Sequence, residues 1–451
     1  MRINLLGGRA RASGHRPRAG HGLLQLIPPA RSGGSRRVYG LLPAAALLVS
    51  AFLFRTMLAC GTSGSDVPQF LAFAETMDLC VYSSGHPAGQ VWPYPWPYPY
   101  GPLLLPLLKL AYEIACPCTL EFYQEIGGPY RVVVDPRWAC TLKVMYTIAD
   151  LAVAAALYYA LKGRRGLVAA GVYLYSPITV YVASVYGMFD PIPVALLVWG
   201  LILYDRGRRA AGGVLSGIAV GFKQTVVPPL LVASAAASPV FLLAWVSTAA
   251  LPYAVVLTAC PGDTGFLRDT LAVLGSPSFP RPVVYSMNGL MSAATILYDR
   301  GFEWAAAIPR MWPVLFAALL APSLYASVRS RDPLLAAALG SAAFTASYWR
   351  VNPQYVVVPI ALLLLAWPRL ARWSRPAAAM AVAAASAWGL LYPQGFWGRV
   401  HMPLETWQAR LLDRITFGPV SDTGYAIVEL AFTLSLWALV WVEALWRRGT
   451  S

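Results

Sequence analysis

Asp66 is the first residue whose type and position could support catalysis. It follows the apolar run 38–60 by only six residues. A carboxylate held so close to the end of a membrane helix is suited to act as a general base, taking a proton from a substrate hydroxyl. The segment Ser65-Asp66-Val67-Pro68 also fits the start of a helix, with Asp66 as its N-cap. Position alone leaves both interpretations of Asp66 open.

Asp190 and Lys223 lie at the far ends of two apolar segments, 190–204 and 211–222, which are joined by a basic turn. Both side chains therefore return to the same side of the chain. At 1.5 Å per residue the segments cover about 18–23 Å, which is less than the ~30 Å hydrocarbon thickness. An acid and a base at that depth are costly and usually line a functional, water-filled cavity.

Two arginines between apolar segments are candidates for binding phosphate. Arg281 lies in Phe279-Pro280-Arg281-Pro282, and Arg350 precedes the polar stretch 352–355. Guanidinium groups contact phosphate bidentately, so Arg281 and Arg350 together with Lys223 could hold a lipid phosphate. The alternative is that each arginine extends from a helix end towards the membrane surface. Asp150, inside the run 142–161, is expected to face other helices and either to pair with an Arg or Lys or to act directly.

The elements that position these residues must be membrane helices. Of the 451 residues 58% are hydrophobic and only 12% are charged, which excludes a soluble domain. The net charge of +15 comes from basic clusters in short turns between apolar runs, which is not the pattern of a nucleic-acid surface. We predict an all-α polytopic membrane protein with about twelve transmembrane helices. The predicted spans are 38–60, 142–161, 167–186, 190–204, 211–222, 226–237, 238–259, 305–327, 333–349, 355–367, 376–392 and 424–446.

The charge distribution predicts the orientation. A cytoplasmic N-terminus in the plasma membrane puts 21 of the 35 basic residues but three of the 20 acidic residues inside. The domains are then a basic cytoplasmic leader at 1–37, one transmembrane domain at 38–446 and a tail at 447–451. Long extracytoplasmic loops lie at 61–141, 260–304 and 393–423. The first loop carries 102–115, which is too short to span easily and is predicted to be an interfacial amphipathic helix.

All six cysteines fall on the extracytoplasmic side of this arrangement. That predicts one or more disulfides fastening the first loop, with free thiols or a metal or redox site as the alternatives. The same loop contains the alternating Pro and aromatic segment 92–101. It is interpreted either as an anchor at the membrane surface or as an aromatic wall for a sugar or lipid.

Five motifs in this order resemble the GT-C superfamily of membrane glycosyltransferases, above all the catalytic subunit of GPI mannosyltransferase I and its bacterial and archaeal relatives. The first resembles D-x-D-Y-x-x-F, of which the chain keeps Asp66 and Phe70 but has Gly64 for the first acid and Val67 for the Tyr. The others are Tyr98-Pro-Tyr-Gly-Pro102-Leu103, Lys143 to Leu151, Gly187-Met188-Phe189-Asp190 through Gly221-Phe222-Lys223-Gln224, and Asn352-Pro353-Gln354-Tyr355 to Pro359.

The resemblance implies an inverting transfer of mannose or another hexose from a polyprenyl-phosphate donor to a glycan, lipid or protein acceptor. Asp66 would be the base, and Asp190 would be structural or would position the sugar. The expected binding residues for the substrate or lipid phosphate are Lys223, Arg281, Arg350, Asp190, Asn352, Gln354 and Tyr355. Membrane lipid is the other expected partner, with no nucleic acid, no cofactor and no metal. The alternatives are a transporter or flippase and a non-catalytic subunit of a glycosylation complex.

Overall fold

The computed structural model describes residues 34–82, 98–115, 120–124, 130–261, 265, 275, 277–403, 405–418 and 420–449. The chain divides into two compact units, Met1–Leu42 and Pro43–Ser451. The first unit is described only at 34–42, which is helical. All contacts given below lie within the second unit. Most of the predicted leader, part of the aromatic segment (92–97), and Cys116 and Cys118 lie outside the described residues.

Helices follow the apolar runs of the sequence in order. Those of the first half are α1 Gly34–Ala59, α2 Asp66–Thr76, α3 Leu104–Ala115, α4 Pro136–Leu161, α5 Gly163–Tyr175, α6 Pro177–Val180, α7 Pro191–Asp205, α8 Arg209–Phe222, α9 Val227–Ser234 and α10 Pro239–Ala259. Those of the second half are α11 Gly289–Asp299, α12 Trp312–Ser330, α13 Pro333–Ser347, α14 Val357–Ala366, α15 Arg375–Leu391, α16 Gln394–Arg399, α17 Trp407–Ile415 and α18 Asp422–Gly449. The two described strands, β1 Leu120–Gln124 and β2 Tyr130–Val134, pair antiparallel.

The helices confirm an all-α, multi-pass membrane protein. Within the described ranges, five helices are long and apolar enough to cross a membrane, or six if the bent pair at 163–186 counts as one span. Five shorter apolar helices of 10–17 residues match the predicted spans 190–204, 211–222, 226–237, 333–349 and 355–367. The number of spans therefore remains a prediction. Helix α4 begins at Pro136, inside the predicted loop 61–141, so the loop is shorter than predicted. The β1–β2 hairpin was not predicted.

A break in the third predicted span shapes the candidate site. Pro177 starts a new helix because proline cannot continue the hydrogen-bond pattern of α5, and the two pieces are bent by 53°. The second piece continues as a π-helix, Tyr181–Tyr186, which ends at Gly187 with φ of 91°. A side chain at that residue would be strained, and its Cβ would lie 2.7 Å from Val67 and 2.9 Å from Lys143. The glycine thus turns the chain towards Asp190.

Small residues bring α8 close to two neighbours. A Cβ on Gly200 of α7 would overlap Ser216 and the backbone of α8, and one on Gly213 would meet α10 at the carbonyl of Phe241. Close approach of backbones through small residues is the usual way in which membrane helices pack, because lipid gives no hydrophobic drive between them. The packing of α8 on α7 places Lys223, at the end of α8, beside Asp190, at the start of α7.

Two disulfides fasten one end of the bundle, which we call the disulfide face. Cys60–Cys140 links the end of α1 to the start of α4, and Cys80–Cys260 links the first loop to the end of α10. This confirms the prediction that disulfides fasten the first loop. Backbone bonds from Val134 to His401 and from Ser63 to Gly398 join that loop to the 393–423 segment.

Candidate active site

Asp66 is the first residue of α2 at the disulfide face, and both of its carboxylate oxygens accept hydrogen bonds. Tyr186 donates to Oδ1 at 3.2 Å, and Ser65 donates to the same oxygen at 3.2 Å. Tyr100 donates to Oδ2 at 3.0 Å. The side chain is partly buried, so it is held in position without being closed off completely from solvent. Ser65, not Asp66, occupies the N-cap position, and neither that residue nor Asp66 caps the helix with its side chain.

The replacement of an acid by Gly64 has a steric reason. The amide of Gly64 donates to the carbonyl of Tyr186 at 2.9 Å, and a Cβ at this glycine would overlap both that carbonyl and the tyrosine ring. An aspartate at position 64 would therefore displace the π-helix end. Tyr186 instead supplies a hydroxyl to Asp66, and its hydroxyl also lies 2.5 Å from Ser65 Oγ.

Tyr100 reaches Asp66 because its segment is fastened to the end of α8. The amides of Gly101 and Leu103 donate to the carbonyls of Phe222 and Gly221 at 2.9 and 3.0 Å. Gly101 has no room for a side chain against this backbone. Tyr98 and Tyr100 are buried in the core, which differs from an anchor at the membrane surface. Burial raises the pKa of Tyr100 well above its ordinary value, and the neighbouring Asp66 raises it further, so the hydroxyl remains a donor.

Lys223 and Asp190 form a buried ion pair. The Lys223 ammonium lies 2.8 and 2.7 Å from the two carboxylate oxygens of Asp190. The lysine is 4% and the aspartate 0% exposed, so both charges depend on each other for stabilisation. The prediction that the two residues return to the same side is thus met by direct contact. The lysine charge is already balanced, which makes it a weaker candidate for the phosphate than an unbalanced cation.

Aromatic rings surround that ion pair and connect it to its neighbours. Lys223 Nζ lies 5.0 Å from the ring centroid of Phe189, 5.2 Å from that of Tyr355 and 5.9 Å from that of Tyr100. Tyr100 and Phe189 pack edge to face at 5.0 Å. Ammonium groups within about 6 Å of a ring face gain cation–π stabilisation. Tyr100 thus contacts both Asp66 and the ion pair.

Arg281 carries hydrogen-bonding capacity that the protein leaves unused. Its Nη2 donates to Asn352 Oδ1 at 3.0 Å, and its guanidinium lies 5.6 Å from the Trp349 ring centroid. Its Nη1 is buried and has no hydrogen-bond partner among the residues that the structure describes. Burial, together with the nearby Arg350, lowers the pKa of Arg281 to about 10. A cation of this kind is suited to bind an anion.

The loops that carry these residues are held together by two further bonds. The amide of Met287 donates to the carbonyl of Val351 at 2.8 Å, and Asn288 donates to the carbonyl of Tyr348 at 3.1 Å. Arg350, Asn352, Gln354 and Tyr355 therefore lie on one loop, directly beside that of Arg281. Gln354 is partly buried on the short 3-10 helix Pro353–Val356, and no contact places its side chain against Asp66 or Lys223 in the described part of the chain.

Two buried cations keep the helices around Asp66 in position. Lys143 on α4 donates to the carbonyl and hydroxyl of Thr62 and to the carbonyl of Val185, so it joins the start of the first loop to the π-helix. Deeper in the bundle, Asp150 pairs with Arg55 and also accepts from Tyr173 at 2.7 Å. The expectation that Asp150 pairs with a basic residue is met, which leaves Asp150 a structural role.

The residues around Asp66 fit a divalent cation poorly. Three hydroxyl donors already occupy its carboxylate, and position 64 cannot accept a second acid without displacing Tyr186. Within the described ranges, no three His, Cys, Asp or Glu residues converge on a common point.

The solved structures similar to this chain include two of ArnT from Cupriavidus metallidurans. The structure bound to undecaprenyl phosphate has 14% identity and a TM-score of 0.42, and the match covers 93% of this chain and 79% of that chain. The apo structure has 15% identity and a TM-score of 0.43, covering 91% and 78%. This chain resembles ArnT over most of its length.

Both TM-scores are below 0.5, so the likeness to ArnT assigns no role to any residue here. No protein-family model matches the sequence, and no curated protein matches it either.

Sequence reasoning missed the tyrosines that hold Asp66. Tyr100 and Tyr186 are 34 and 120 residues away from it, and spacing alone gives no sign of such contacts. One signal was present: Gly64 replaces an acid where the resembled motif has one, which indicates that another group takes that space.

Proposed function

We propose that this chain is an inverting membrane glycosyltransferase that uses a polyprenyl-phosphate-linked hexose, such as mannose, with Asp66 as general base. The observation that carries the proposal is the position of Asp66, which is held by Tyr100 and Tyr186 at the disulfide face. From Asp66, contacts lead through Tyr100 to Lys223 and on to Tyr355. Tyr355 lies close enough to the buried cation Arg281 to interact with it electrostatically. A base and an anion site are thus connected within one cluster.

The carboxylate retains room for a substrate. An ionised carboxylate offers about four acceptor positions, and hydroxyls of Tyr186, Ser65 and Tyr100 use three of them. An acceptor hydroxyl can donate to the remaining position on Oδ2. Asp66 then takes the hydroxyl proton as the acceptor oxygen bonds to the anomeric carbon of the donor sugar.

The bond from the anomeric carbon to the phosphate oxygen breaks in the same displacement, and its electron pair stays on the phosphate. Polyprenyl phosphate leaves with an additional negative charge, which Arg281 and Arg350 stabilise electrostatically. A single displacement inverts the anomeric configuration. A retaining reaction would need a second carboxylate as nucleophile about 5–5.5 Å from the first, and Asp190 is instead paired with Lys223. No step requires a metal.

The phosphate site is assigned to Arg281, Arg350 and Asn352 before Lys223. The charge of Lys223 is balanced by Asp190. Arg281, by contrast, has a buried Nη1 with no hydrogen-bond partner in the described part of the chain. Asp190 and Lys223 together orient Tyr100 and Tyr355 through ring contacts. Gln354 remains a proposed substrate contact from the motif alone.

The disulfide face is proposed to lie on the extracytoplasmic side of the cell membrane, with the N-terminus in the cytoplasm. Disulfides persist in oxidising compartments, and Cys60–Cys140 and Cys80–Cys260 both lie at the end that carries Asp66. The transfer would then occur on the extracytoplasmic surface, where a lipid-linked donor presents its sugar.

An assay with labelled polyprenyl-phosphate hexose tests the proposal. The full chain, in nanodiscs, is mixed with the donor and a membrane-lipid extract, and release of polyprenyl phosphate is measured. In parallel, the chain in sealed vesicles is tested for movement of the labelled lipid across the bilayer. Release with inverted product supports the transferase. Movement without cleavage would identify a flippase, and neither activity would favour a non-catalytic subunit.

A further inference from the structure

A second group of aromatic side chains begins at Tyr186, which donates to Oδ1 of Asp66, whereas Tyr100 donates to Oδ2. We define the aromatic platform as Tyr181, Tyr186, Tyr285, Trp388, Tyr392 and Trp397. The rings of Trp388, Tyr392 and Trp397 stack in sequence, with centroids 4.6 and 6.5 Å apart. Tyr181 lies 4.8 Å from Tyr392 and 5.6 Å from Tyr186. The platform is therefore continuous with the candidate base.

The polar ends of these rings lie near one another. The hydroxyl of Tyr186 donates to Asp66 Oδ1 at 3.2 Å, and the side chains of Tyr181, Tyr392 and Tyr285 are close enough to influence one another electrostatically. Burial raises the pKa of Tyr285 to about 12, so its hydroxyl stays neutral at physiological pH. The platform thus combines apolar ring faces with neutral hydroxyls and carries no charge of its own.

The backbone fixes the platform beside Asp66. The carbonyl of Gly398, next to Trp397, accepts from the amide of Ser63 at 2.7 Å, three residues before Asp66. Trp397 packs edge to face on Tyr285 at 5.7 Å, and Tyr285 lies four residues beyond Arg281 on the same loop. The platform therefore extends from the base towards the anion site. Tyr186, Tyr285 and Trp397 are only partly buried, whereas Tyr181 and Tyr392 are almost fully buried.

We propose that the aromatic platform binds the acceptor, and that the acceptor is an uncharged hexopyranose unit of a glycan or glycolipid. This inference rests on the proposed transferase function and adds the acceptor class to it. A pyranose has an apolar C–H face and a rim of hydroxyls, which matches side chains that have an apolar body and a polar tip. An acceptor seated there presents a hydroxyl next to Tyr186, within reach of Asp66. A charged sugar gains no countercharge from these side chains.

Binding is measured first without donor, so that it does not depend on transfer. The full chain in nanodiscs is titrated with radiolabelled octyl glucoside, octyl mannoside and octyl galactoside. We expect at least one to bind, and Tyr285→Ala and Trp397→Ala each to weaken its binding about threefold to tenfold, which corresponds to ~0.7–1.4 kcal/mol. Trp397→Phe, which keeps a ring, should lose less than Trp397→Ala.

Trp373→Ala is the matched control, since Trp373 is 60% exposed between α14 and α15 and lies outside the platform. It should bind the pyranosides as the wild type does. The thermal midpoints of all variants identify any that fail to fold. If Trp397→Ala does not fold, Trp397→Phe is compared with the wild type in its place. Equal binding by wild type, Tyr285→Ala and Trp397→Ala would overturn the proposal, as would no binding of any octyl pyranoside.

Transfer is measured second, with the labelled donor and three acceptors: the octyl pyranosides, a Ser/Thr peptide and a long-chain alcohol. Glycosylation of a pyranoside, with a raised acceptor KM in Tyr285→Ala and an unchanged donor KM, supports the platform. Transfer to the peptide or alcohol alone overturns the acceptor class while the transferase function stands. If no acceptor consumes the donor, the transferase function is lost, and the donor-free titration still decides whether the platform binds sugar.

Discussion

Tyr100 donates its hydroxyl to Oδ2 of Asp66 at 3.0 Å and is itself buried in the core. The bond orients the carboxylate that we assign as the base. Tyr100→Phe keeps the ring contacts and removes only this donor. Because hydrogen bonds to charged groups contribute about 1.5–3 kcal/mol, kcat should fall roughly 10- to 100-fold. Initial rates at saturating donor and acceptor provide the measurement.

The matched control for that change is Tyr98→Phe, which removes the hydroxyl of a neighbouring buried tyrosine that donates to the Gly101 carbonyl at 3.1 Å. Its kcat should change much less than that of Tyr100→Phe. Equal losses in the two variants would show that packing of the segment, rather than the bond to Asp66, controls the rate.

The ion pair of Asp190 and Lys223 predicts a strongly non-additive pair of substitutions. Lys223→Met leaves the Asp190 carboxylate buried without its partner, which should cost about 3–5 kcal/mol of folding stability. The double change Asp190→Asn with Lys223→Met removes both charges and should recover most of that loss. Thermal midpoints in detergent measure both effects. A double variant less stable than either single variant would contradict the pairing.

Arg281 predicts how donor binding depends on pH. Its pKa is lowered to about 10 by burial and by Arg350, so the charge is present below pH 10 and lost as pH rises through that value. The kcat/KM for donor should therefore decline above about pH 10. Arg281→Met should lower kcat/KM for donor by roughly 10- to 100-fold at pH 8 and abolish that decline. A flat wild-type profile between pH 9 and 11 would speak against a phosphate contact by Arg281.

Two exposed glycines provide sites for testing the orientation. Gly163 and Gly207 have positive φ, and nothing lies within 4 Å of the position of an added Cβ, so inserted tags should be tolerated. With the N-terminus in the cytoplasm, tags after either residue should react only when cells are permeabilised. Labelling of intact cells at either position would place the basic turns outside the cell and the candidate site on the cytoplasmic side, the reverse of the proposed orientation.

Much of the fold follows from the sequence because membrane helices depend on local composition. Each predicted span coincides with a helix or a bent helical pair, and the contact between Asp190 and Lys223 follows from two short segments joined by a tight turn. The start of a span was predicted too late where polar residues extend the helix beyond the apolar run. Helix α4 is the example, since it begins at Pro136 and carries Arg137 in its first turn.

The surroundings of Asp66 could not be predicted in the same way. Tyr100, Tyr186 and Trp397 come from three separate stretches of the chain, and only tertiary packing brings them together. Gly64 is an example: the local motif predicts an acid at this position, but Tyr186, 122 positions further along the chain, occupies the space that a side chain would need. Arg281 was identified by residue type, but its unused Nη1 is visible only in three dimensions.

Asp66 is proposed as the base that activates the acceptor. Asp66→Asn keeps the size of the side chain and can still accept from Tyr100, so folding and donor affinity should be preserved. We predict that kcat for hexose transfer falls by about 10²- to 10⁴-fold, the usual contribution of a general base. The measurement is single-turnover transfer from labelled polyprenyl-phosphate hexose in nanodiscs, with the thermal midpoint and donor binding recorded alongside. Wild-type transfer by Asp66→Asn would rule out Asp66 as the base.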